Sequence, residues 1–391
     1  TQPILTDLQV RLQDLEDDYD ALETQYNELS SDNSGLEQQL ETLKVVYAEL
    51  QAEKESLFKE QLVLIEQLEA ITKMYESLLE DYETSLGRLN FSNQTIPVIQ
   101  RNYTWTHSDV SYSLDIAIPE LMYEYYSTKD RYHTSDYRGY ILHPYDDEFI
   151  EVIVKEFEKI SVLNNMKADD ELGLITSFVQ NLHYLTDDKT NFDDYPKFPA
   201  ETLVDNGGDC EDTSILLAHI LEAMDIDTVL LTLPGHMAIG VDVNATGVKW
   251  ELENNTYYYL ETTAIGWGIG KIPTEHIGKE AEVLEIIKIP FITHTWEATR
   301  QNNVVDVTVI YTNEAPFSDS GYRAWVGMEL DSGVLYAEKI GDPLDLMFGE
   351  SDTQNLIIEG PRHDNMRIII GVLTPSGEVI TQKYSQYFNS R

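Results

Sequence analysis

The hydrophobic positions of the first 89 residues recur at alternating intervals of three and four without a break. Apolar side chains occupy eleven of the twelve positions that follow one another every seven residues from Leu8 to Ser85. The second set of core positions holds mostly Leu and Tyr, with the polar residues Asn33, Lys54 and Gln61 among them. Sustained heptads of this kind predict a coiled coil, and this combination favours a parallel dimer. Such a rod would be roughly 120 Å long.

The alternative for this segment is a helical hairpin. It would fold back at residues 30–35, which read Ser-Ser-Asp-Asn-Ser-Gly. The heptad phase is the same on both sides of that point, which favours one continuous helix. The helix is expected to end near Asn90, because a polar stretch follows and Pro97 bars continuation of a helix.

From about residue 100 the pattern becomes that of a mixed α+β domain. One segment, residues 112–118, alternates apolar and polar side chains like a half-buried strand. Longer amphipathic runs and short apolar runs then follow one another. They predict helices over 147–163, 170–185 and 214–224, and strands over 229–233, 237–243 and 257–262.

After about residue 290 short strands recur with turn signals between them. The clearest cover 304–311, 322–330, 355–359 and 366–373. This spacing predicts a small antiparallel β-sandwich of immunoglobulin-like size. We therefore expect three domains: a coiled-coil stalk over 1–92, the mixed domain over 93–288 and the sandwich over 289–391.

Composition restricts the partners and the compartment. The 70 acidic against 26 basic residues give a net charge of -44, which repels nucleic acid and anionic membranes. The charge serves mainly solubility and leaves carboxylates for divalent cations. One cysteine excludes a disulfide framework, and no apolar run reaches transmembrane length. Five glycosylation sequons favour an extracellular or cell-surface location. We expect an export signal or a membrane or cell-wall anchor to precede residue 1.

One stretch carries the features of a catalytic site. A glycine pair precedes Cys210, and a helix is predicted to begin at or near this residue, where backbone N–H groups favour a thiolate. His236 opens an apolar strand 26 residues later, after a Pro-Gly turn. Glu261 comes 25 residues further on and is the only charged side chain of its strand. This order suits a nucleophile, a base and an orienting carboxylate.

At these residues the sequence resembles the transglutaminase-like superfamily of papain-like folds. The resemblance covers about residues 100–285 and includes a lead-in at 195–203 like that of archaeal and bacterial exported members. It implies an α+β papain-like domain with Cys210 as nucleophile, His236 as base and Glu261 as the orienting acid, where most members have Asp. The motifs are Gly208-Asp209-Cys210-Glu211-Asp212, Gly235-His236-Met237-Ala238 and Leu260-Glu261-Thr262-Thr263.

The same core is similar to that of bacterial transglutaminase-like cysteine proteases that need calcium. The ligands implied are Asp209, Glu211, Asp212 and one upstream residue, Asn191, Asp193 or Asp194. Carboxylates beside a thiol oppose its ionisation, and Ca²⁺ among them would cancel that field. The alternative is that the acids only cap the helix. For the oxyanion hole, papain-like enzymes use an upstream polar side chain, and the candidates are Gln180 and Tyr184.

Three functions are compatible with these residues. We favour an extracellular cysteine protease that acts on protein or peptide substrates, forms a homodimer through the coiled coil and uses no organic cofactor. The same triad would also serve a protein-crosslinking transglutaminase, because both reactions pass through a thioester at Cys210. A structural or adhesive protein whose papain-like domain only binds is the third hypothesis. Its hallmark would be the replacement of Cys210 or His236, and both are present.

Overall fold

A computed structural model describes residues 7–8, 10–30, 33–35, 39–47, 50–51, 54, 59, 97–187, 195–361 and 365–389. The contacts between residues divide the chain into two compact units, Thr1–Glu69 and Ala70–Arg391. No helix in the described part of the chain is both long and apolar enough to cross a membrane.

The N-terminal unit is helical wherever it is described. Helix α1 covers residues 10–30, and residues 33–35 and 39–47 are helical as well. The heptad leucines of this helix lie open on the single chain, with Leu15 66% and Leu22 65% exposed. The predicted N-terminal helix is therefore confirmed over these residues. The heptads beyond residue 59 lie outside the described residues, and the dimer stays a prediction.

The described part of the second unit starts with an antiparallel hairpin, whose strands are β1 (Val98–His107) and β2 (Val110–Pro119). Six helices follow within its described part, and most bury one apolar face in a common core. The helix predicted over 147–163 is confirmed at both ends. The helices are α2 (Glu120–Ser127), α3 (Arg138–Ile141), α4 (Asp147–Leu163), α5 (Ala168–Gln180), α6 (Pro199–Asp205) and α7 (Cys210–Glu222).

A five-stranded antiparallel sheet, in the order β7-β8-β6-β5-β9, packs against α7. Its central strands are apolar on both faces because both faces are buried. Leu230 and Ile239 enter the core shared with the helices, whereas Leu231 and Ala238 enter a second core on the other face. The strands are β5 (Thr228–Leu233), β6 (His236–Asp242), β7 (Lys249–Leu252), β8 (Asn255–Leu260) and β9 (Glu282–Glu285).

The C-terminal region is β-rich, as predicted. One sheet has the order β10-β11-β14, and the other has the order β13-β12-β15-β16 with β17 beside β15. Alternate side chains of both sheets point into one shared core. The strands are β10 (Ile292–Gln301), β11 (Val304–Asn313), β12 (Arg323–Leu330), β13 (Leu335–Pro343), β14 (Ser351–Glu359), β15 (Asn365–Leu373), β16 (Val379–Tyr384) and β17 (Phe388–Asn389).

Buried polar contacts join this β-rich region to the helical part of the same unit. The Tyr132 hydroxyl donates to the carbonyl oxygen of His294 at 3.2 Å and accepts from its N–H at 2.9 Å. Lys129 forms a half-buried ion pair with Glu314. Because buried hydrogen bonds and ion pairs are costly to break singly, these contacts hold the β-rich region in place.

Candidate active site

Cys210 is the first residue of α7, and the chain before it is tightly confined. The short strand β4 (Gly207–Gly208) pairs in parallel with β3 (His183–Tyr184). A Cβ atom added at Gly208 would lie 2.3 Å from the Cβ of Asp212, so only glycine fits there. The glycine pair thus allows the backbone to approach closely just where the helix begins.

The predicted helix over 170–185 ends five residues early in the structure. Helix α5 stops at Gln180, because the next residues pair with the glycine segment instead. The His183 N–H donates to the carbonyl oxygen of Asn206 at 3.0 Å, and the Leu185 N–H donates to that of Gly208 at 3.0 Å. This pairing brings Tyr184 near Cys210, whose thiolate is one of the charges that raise the pKa of the Tyr184 phenol beyond the effect of burial.

His236 and Glu261 meet at the edge of the five-stranded sheet. The turn before β6 has φ = 74° at Gly235, a left-handed conformation that favours glycine, and His236 is the first residue of the strand. Glu261 directly follows β8, which is hydrogen-bonded to β6. The Nε2 atom of His236 lies 3.1 Å from Oε2 of Glu261. The structure thus brings together two residues that the sequence separates by 25 positions.

The Glu261 carboxylate is buried and surrounded by donors. Its Oε2 also accepts from the Tyr259 hydroxyl at 2.6 Å. Its Oε1 accepts from the backbone N–H groups of Thr262 and Thr263 at 3.1 and 3.0 Å, and from the Thr263 hydroxyl at 2.7 Å. Burial alone would raise the pKa of Glu261, but the bonds from His236, Tyr259 and Thr263 lower it to about 2. The group is therefore ionised at neutral pH.

The Cys210 thiol is half-buried and points toward a carboxylate. Its Sγ donates to Oε2 of Glu211 at 3.2 Å. Burial raises the pKa of the thiol and the charge of Glu211 raises it further, whereas the backbone N–H of Met237 acts in the opposite direction. Because Met237 is the residue after His236, this N–H links the cysteine to the histidine strand. Burial and the Glu211 charge thus favour the protonated thiol.

Three carboxylates converge beside the thiol. One oxygen from each of Asp187, Asp209 and Glu211 lies within 4.8 Å of the other two. Burial and the charge of Asp209 raise the pKa of Glu211 to about 9. Such crowding is relieved by a proton or by a cation, and an all-oxygen set suits a hard divalent cation. These three carboxylates could therefore hold a divalent cation, and Asp187 is a candidate ligand that the sequence did not indicate.

Asp212 does not belong to this group. Its Oδ1 accepts from the Lys197 backbone N–H at 2.7 Å, and its Oδ2 lies 3.6 Å from Lys197 Nζ. The Asp209 N–H donates to Asp212 Oδ2 at 3.3 Å, which is the capping contact of the alternative interpretation. Asp212 therefore has a structural role at the helix start, and its prediction as a metal ligand is not favoured. Asn191 lies outside the described residues.

The buried Gln180 side chain is hydrogen-bonded to the loop that follows β8. Its buried amide nitrogen donates to the carbonyl oxygens of Glu261 at 2.8 Å and Trp267 at 2.9 Å, and its Oε1 accepts from the Gly266 N–H at 3.2 Å. Both amide hydrogens are thus used within the loop that follows β8. In this geometry Gln180 holds that loop and has no donor left for an oxyanion, contrary to our expectation.

Two further histidines lie near charged groups. His219, in α7, is buried, with Nε2 3.3 Å from Oδ1 of Asp147. His276 stacks on His236, with ring centroids 4.6 Å apart and planes inclined by 14°. No sequence signal indicates His276, because it lies in a loop 40 residues after His236 without a recognisable motif.

A scan against protein-family profiles finds no family that matches the chain. A search of curated proteins finds no similar sequence.

Proposed function

We propose that the chain is an extracellular thiol hydrolase with a papain-like, transglutaminase-like catalytic domain that cuts protein or peptide substrates. Cys210 is its nucleophile, His236 its base and Glu261 the orienting carboxylate. One observation carries the proposal: the ionised, fully hydrogen-bonded carboxylate of Glu261 lies 3.1 Å from Nε2 of His236. The backbone N–H of the next residue, Met237, faces the sulfur of Cys210 at the start of α7. This arrangement suits nucleophilic catalysis.

The proposed reaction uses the two ring nitrogens of His236 differently. Because Nε2 is held by Glu261, Nδ1 accepts the thiol proton of Cys210. The sulfur then bonds to the carbonyl carbon of a peptide group, and the C–N bond breaks as the leaving nitrogen takes the proton from Nδ1. Water then attacks the resulting thioester and gives one proton to the imidazole. The C–S bond breaks, and the imidazole returns that proton to the sulfur. The N–H of Cys210 at the helix start is the oxyanion donor we favour in place of Gln180.

The charge around the thiol determines whether this chemistry can start. A helix N-terminus contributes the equivalent of roughly half a positive charge. The oxygens of Asp187, Asp209 and Glu211 crowd the same place, with Glu211 Oε2 3.2 Å from the sulfur, and each of these carboxylates that is ionised opposes the thiolate. We propose that Asp187, Asp209 and Glu211 hold Ca²⁺. The bound ion would supply the positive charge that lets the thiolate form, and it takes no part in the bond-breaking steps.

Calcium removal is expected to lower the stability of the protein and the reactivity of the Cys210 thiol. A ligand at about 100-fold its Kd stabilises by about 2.7 kcal/mol. A chelator should therefore lower the Tm by roughly 5 °C or more. Alkylation of Cys210 should slow in parallel. Added Ca²⁺ should restore both, and Mg²⁺ should do so poorly because it keeps a tighter, hydrated shell.

Two variants separate the calcium ligands from the capping residue. Asp187→Asn should abolish the calcium-dependent rise in Tm, whereas Asp212→Asn should lower the Tm but keep that rise. Calorimetric titration of metal-free protein provides the direct measurement. No heat and no shift in Tm at millimolar calcium would exclude the site and leave helix capping as the role of these acids.

We further propose that the N-terminal helix forms a parallel coiled-coil dimer and displays the catalytic domain on a stalk. The open heptad leucines support this, because a helix with an unburied apolar stripe needs a partner. The shared core of the two C-terminal sheets supports an immunoglobulin-like sandwich with a structural role. The sequons and the acidic composition support an extracellular location.

The dimer has a measurable consequence in the full chain. Sedimentation equilibrium is expected to give twice the 44.8 kDa mass of one chain. Leu15→Asp combined with Leu22→Asp should yield monomers, because the substitutions place charges in the predicted seam. Gln13→Asp, one position outside the seam, is the matched control and should remain dimeric. A compact monomer in the unmodified chain would support the hairpin instead.

The function is tested by measuring peptide release from a denatured protein substrate. Hydrolysis should appear in the unmodified chain and be absent in Cys210→Ala. A fluorescent primary amine added to the same reaction distinguishes acyl transfer, since a transglutaminase would attach it to the substrate protein. Neither peptide release nor amine incorporation over a panel of unfolded proteins would favour the binding or structural hypothesis.

A further inference from the structure

His276 lies face to face with the imidazole of His236. The ring centroids are 4.6 Å apart and the planes are inclined by only 14°. The His236 side chain is only 12% exposed, so this second ring covers one of its faces. A stacked neighbour at such a distance restricts rotation of the ring about its side-chain bonds.

The loop that carries His276 is itself well anchored. His276 ends a 3-10 turn, Thr274–His276, in which its N–H donates to the carbonyl oxygen of Pro273 at 2.9 Å. Its own carbonyl oxygen accepts from the Lys279 N–H at 3.2 Å. Ile272, just before the turn, is buried in the core under the outer face of the five-stranded sheet. The ring is therefore held by the same sheet that carries His236.

We propose, building on the function proposed above, that His276 is a positioning residue for His236. Its neutral ring fixes the imidazole plane, so that Nε2 stays on Glu261 and Nδ1 stays available to the thiol. It also keeps water from the bond between His236 and Glu261, which strengthens that bond in a medium of low dielectric constant.

The role requires an uncharged His276, and its surroundings favour that state. Burial lowers its pKa, and the charges of His236 and Lys279 lower it further, against the opposing effect of Glu275 and Glu261. Its Nδ1 is buried without a hydrogen-bond partner among the described residues, so a proton there would be an unsatisfied donor. When His276 is protonated at acidic pH, it opposes the imidazolium that forms on His236 during the reaction.

The test compares His276→Ala with His276→Phe in the full chain with calcium, using iodoacetamide as the probe of Cys210 between pH 5 and 9. His276→Ala should slow alkylation near neutral pH by about tenfold or more, because the imidazole is no longer held. His276→Phe keeps a ring in the stack, so its neutral rate should stay within about threefold of the unmodified chain. The alkylation rate of His276→Phe should also fall less steeply toward acidic pH, because this variant has no protonated His276 to oppose the imidazolium of His236.

NMR of the His236 ring protons provides an independent readout. Their signals should move downfield in His276→Ala, where the ring current of the neighbour is lost, and upfield in His276→Phe. Unchanged signals would overturn the stack. Wild-type alkylation profiles in both variants, with only the Tm lowered, would overturn the positioning role. His236→Ala distinguishes failure of the positioning role from failure of the proposed function. If this variant also leaves alkylation unchanged, the proposed function fails as well.

Discussion

His236→Ala is expected to reduce hydrolysis on the order of 10³-fold or more, and Cys210→Ala is expected to abolish it. Without the imidazole, nothing removes the thiol proton, whose pKa is already raised by burial and by Glu211. Nucleophile and base act as one unit, so removing either costs nearly as much as removing both. The measurement is the initial rate of peptide release from an unfolded protein substrate, with the Tm as a check on folding.

Controls separate chemistry from structure in this comparison. Cys210→Ser keeps the size of the side chain and should be as inactive as Cys210→Ala. His133→Ala removes a half-buried imidazole that packs on Tyr384, away from the proposed triad, and should keep its activity. Undiminished activity in Cys210→Ala would refute the mechanism.

Glu261→Gln is expected to lower both stability and activity. The pKa of Glu261 is about 2 in the folded chain against an ordinary value of 4.5, which corresponds to about 3 kcal/mol of stability at neutral pH. Because the folded-state pKa is lowered, this contribution is complete above about pH 4.5 and is lost as the pH falls toward 2. An amide also presents a donor to hydroxyl and N–H groups that need an acceptor. Hydrolysis should fall less than in His236→Ala, since an orienting group is less critical than the base.

Urea unfolding at pH 7 and at pH 3 measures the stability effect. The unmodified chain should lose more stability than Glu261→Gln between these two pH values. Glu280→Gln, in an exposed loop, makes the same chemical change without buried partners and is the matched control. Equal stability of Glu261→Gln and the unmodified chain at pH 7 would show that the carboxylate is not held as described.

Local patterns were sufficient for much of the fold. The amphipathic run over 147–163 predicted α4 at both ends, because its apolar face and acidic first turn are local signals. The apolar runs over 229–233 and 237–243 predicted β5 and β6 to within one residue at each end. For the site, the sequence motifs predicted that His236 and Glu261 would pair, and their side chains do meet.

Long-range pairing accounts for the features that the sequence did not reveal. The helical pattern continues past Gln180, but the helix ends there because β3 pairs with β4. The same pairing brings Asp187 close to Asp209 and Glu211, beside the thiol. In the sequence Asp212 cannot be distinguished from the neighbouring acids Asp209 and Glu211, but in the structure it contacts Lys197, which lies 15 residues earlier. The contact of His276 with His236 arises only when the loop of His276 folds over the sheet. Each of these contacts depends on tertiary packing that no local spacing encodes.

In the proposed mechanism Cys210 is an activated nucleophile. The most direct measurement is its labelling by a peptide-like epoxide inhibitor, with the adduct located by mass spectrometry. At pH 6 to 7 with calcium, we expect labelling at least about tenfold faster than that of a simple thiol, slower after chelation and nearly abolished in His236→Ala. Labelling at the rate of an unactivated thiol, unchanged by calcium or by His236→Ala, would contradict the account.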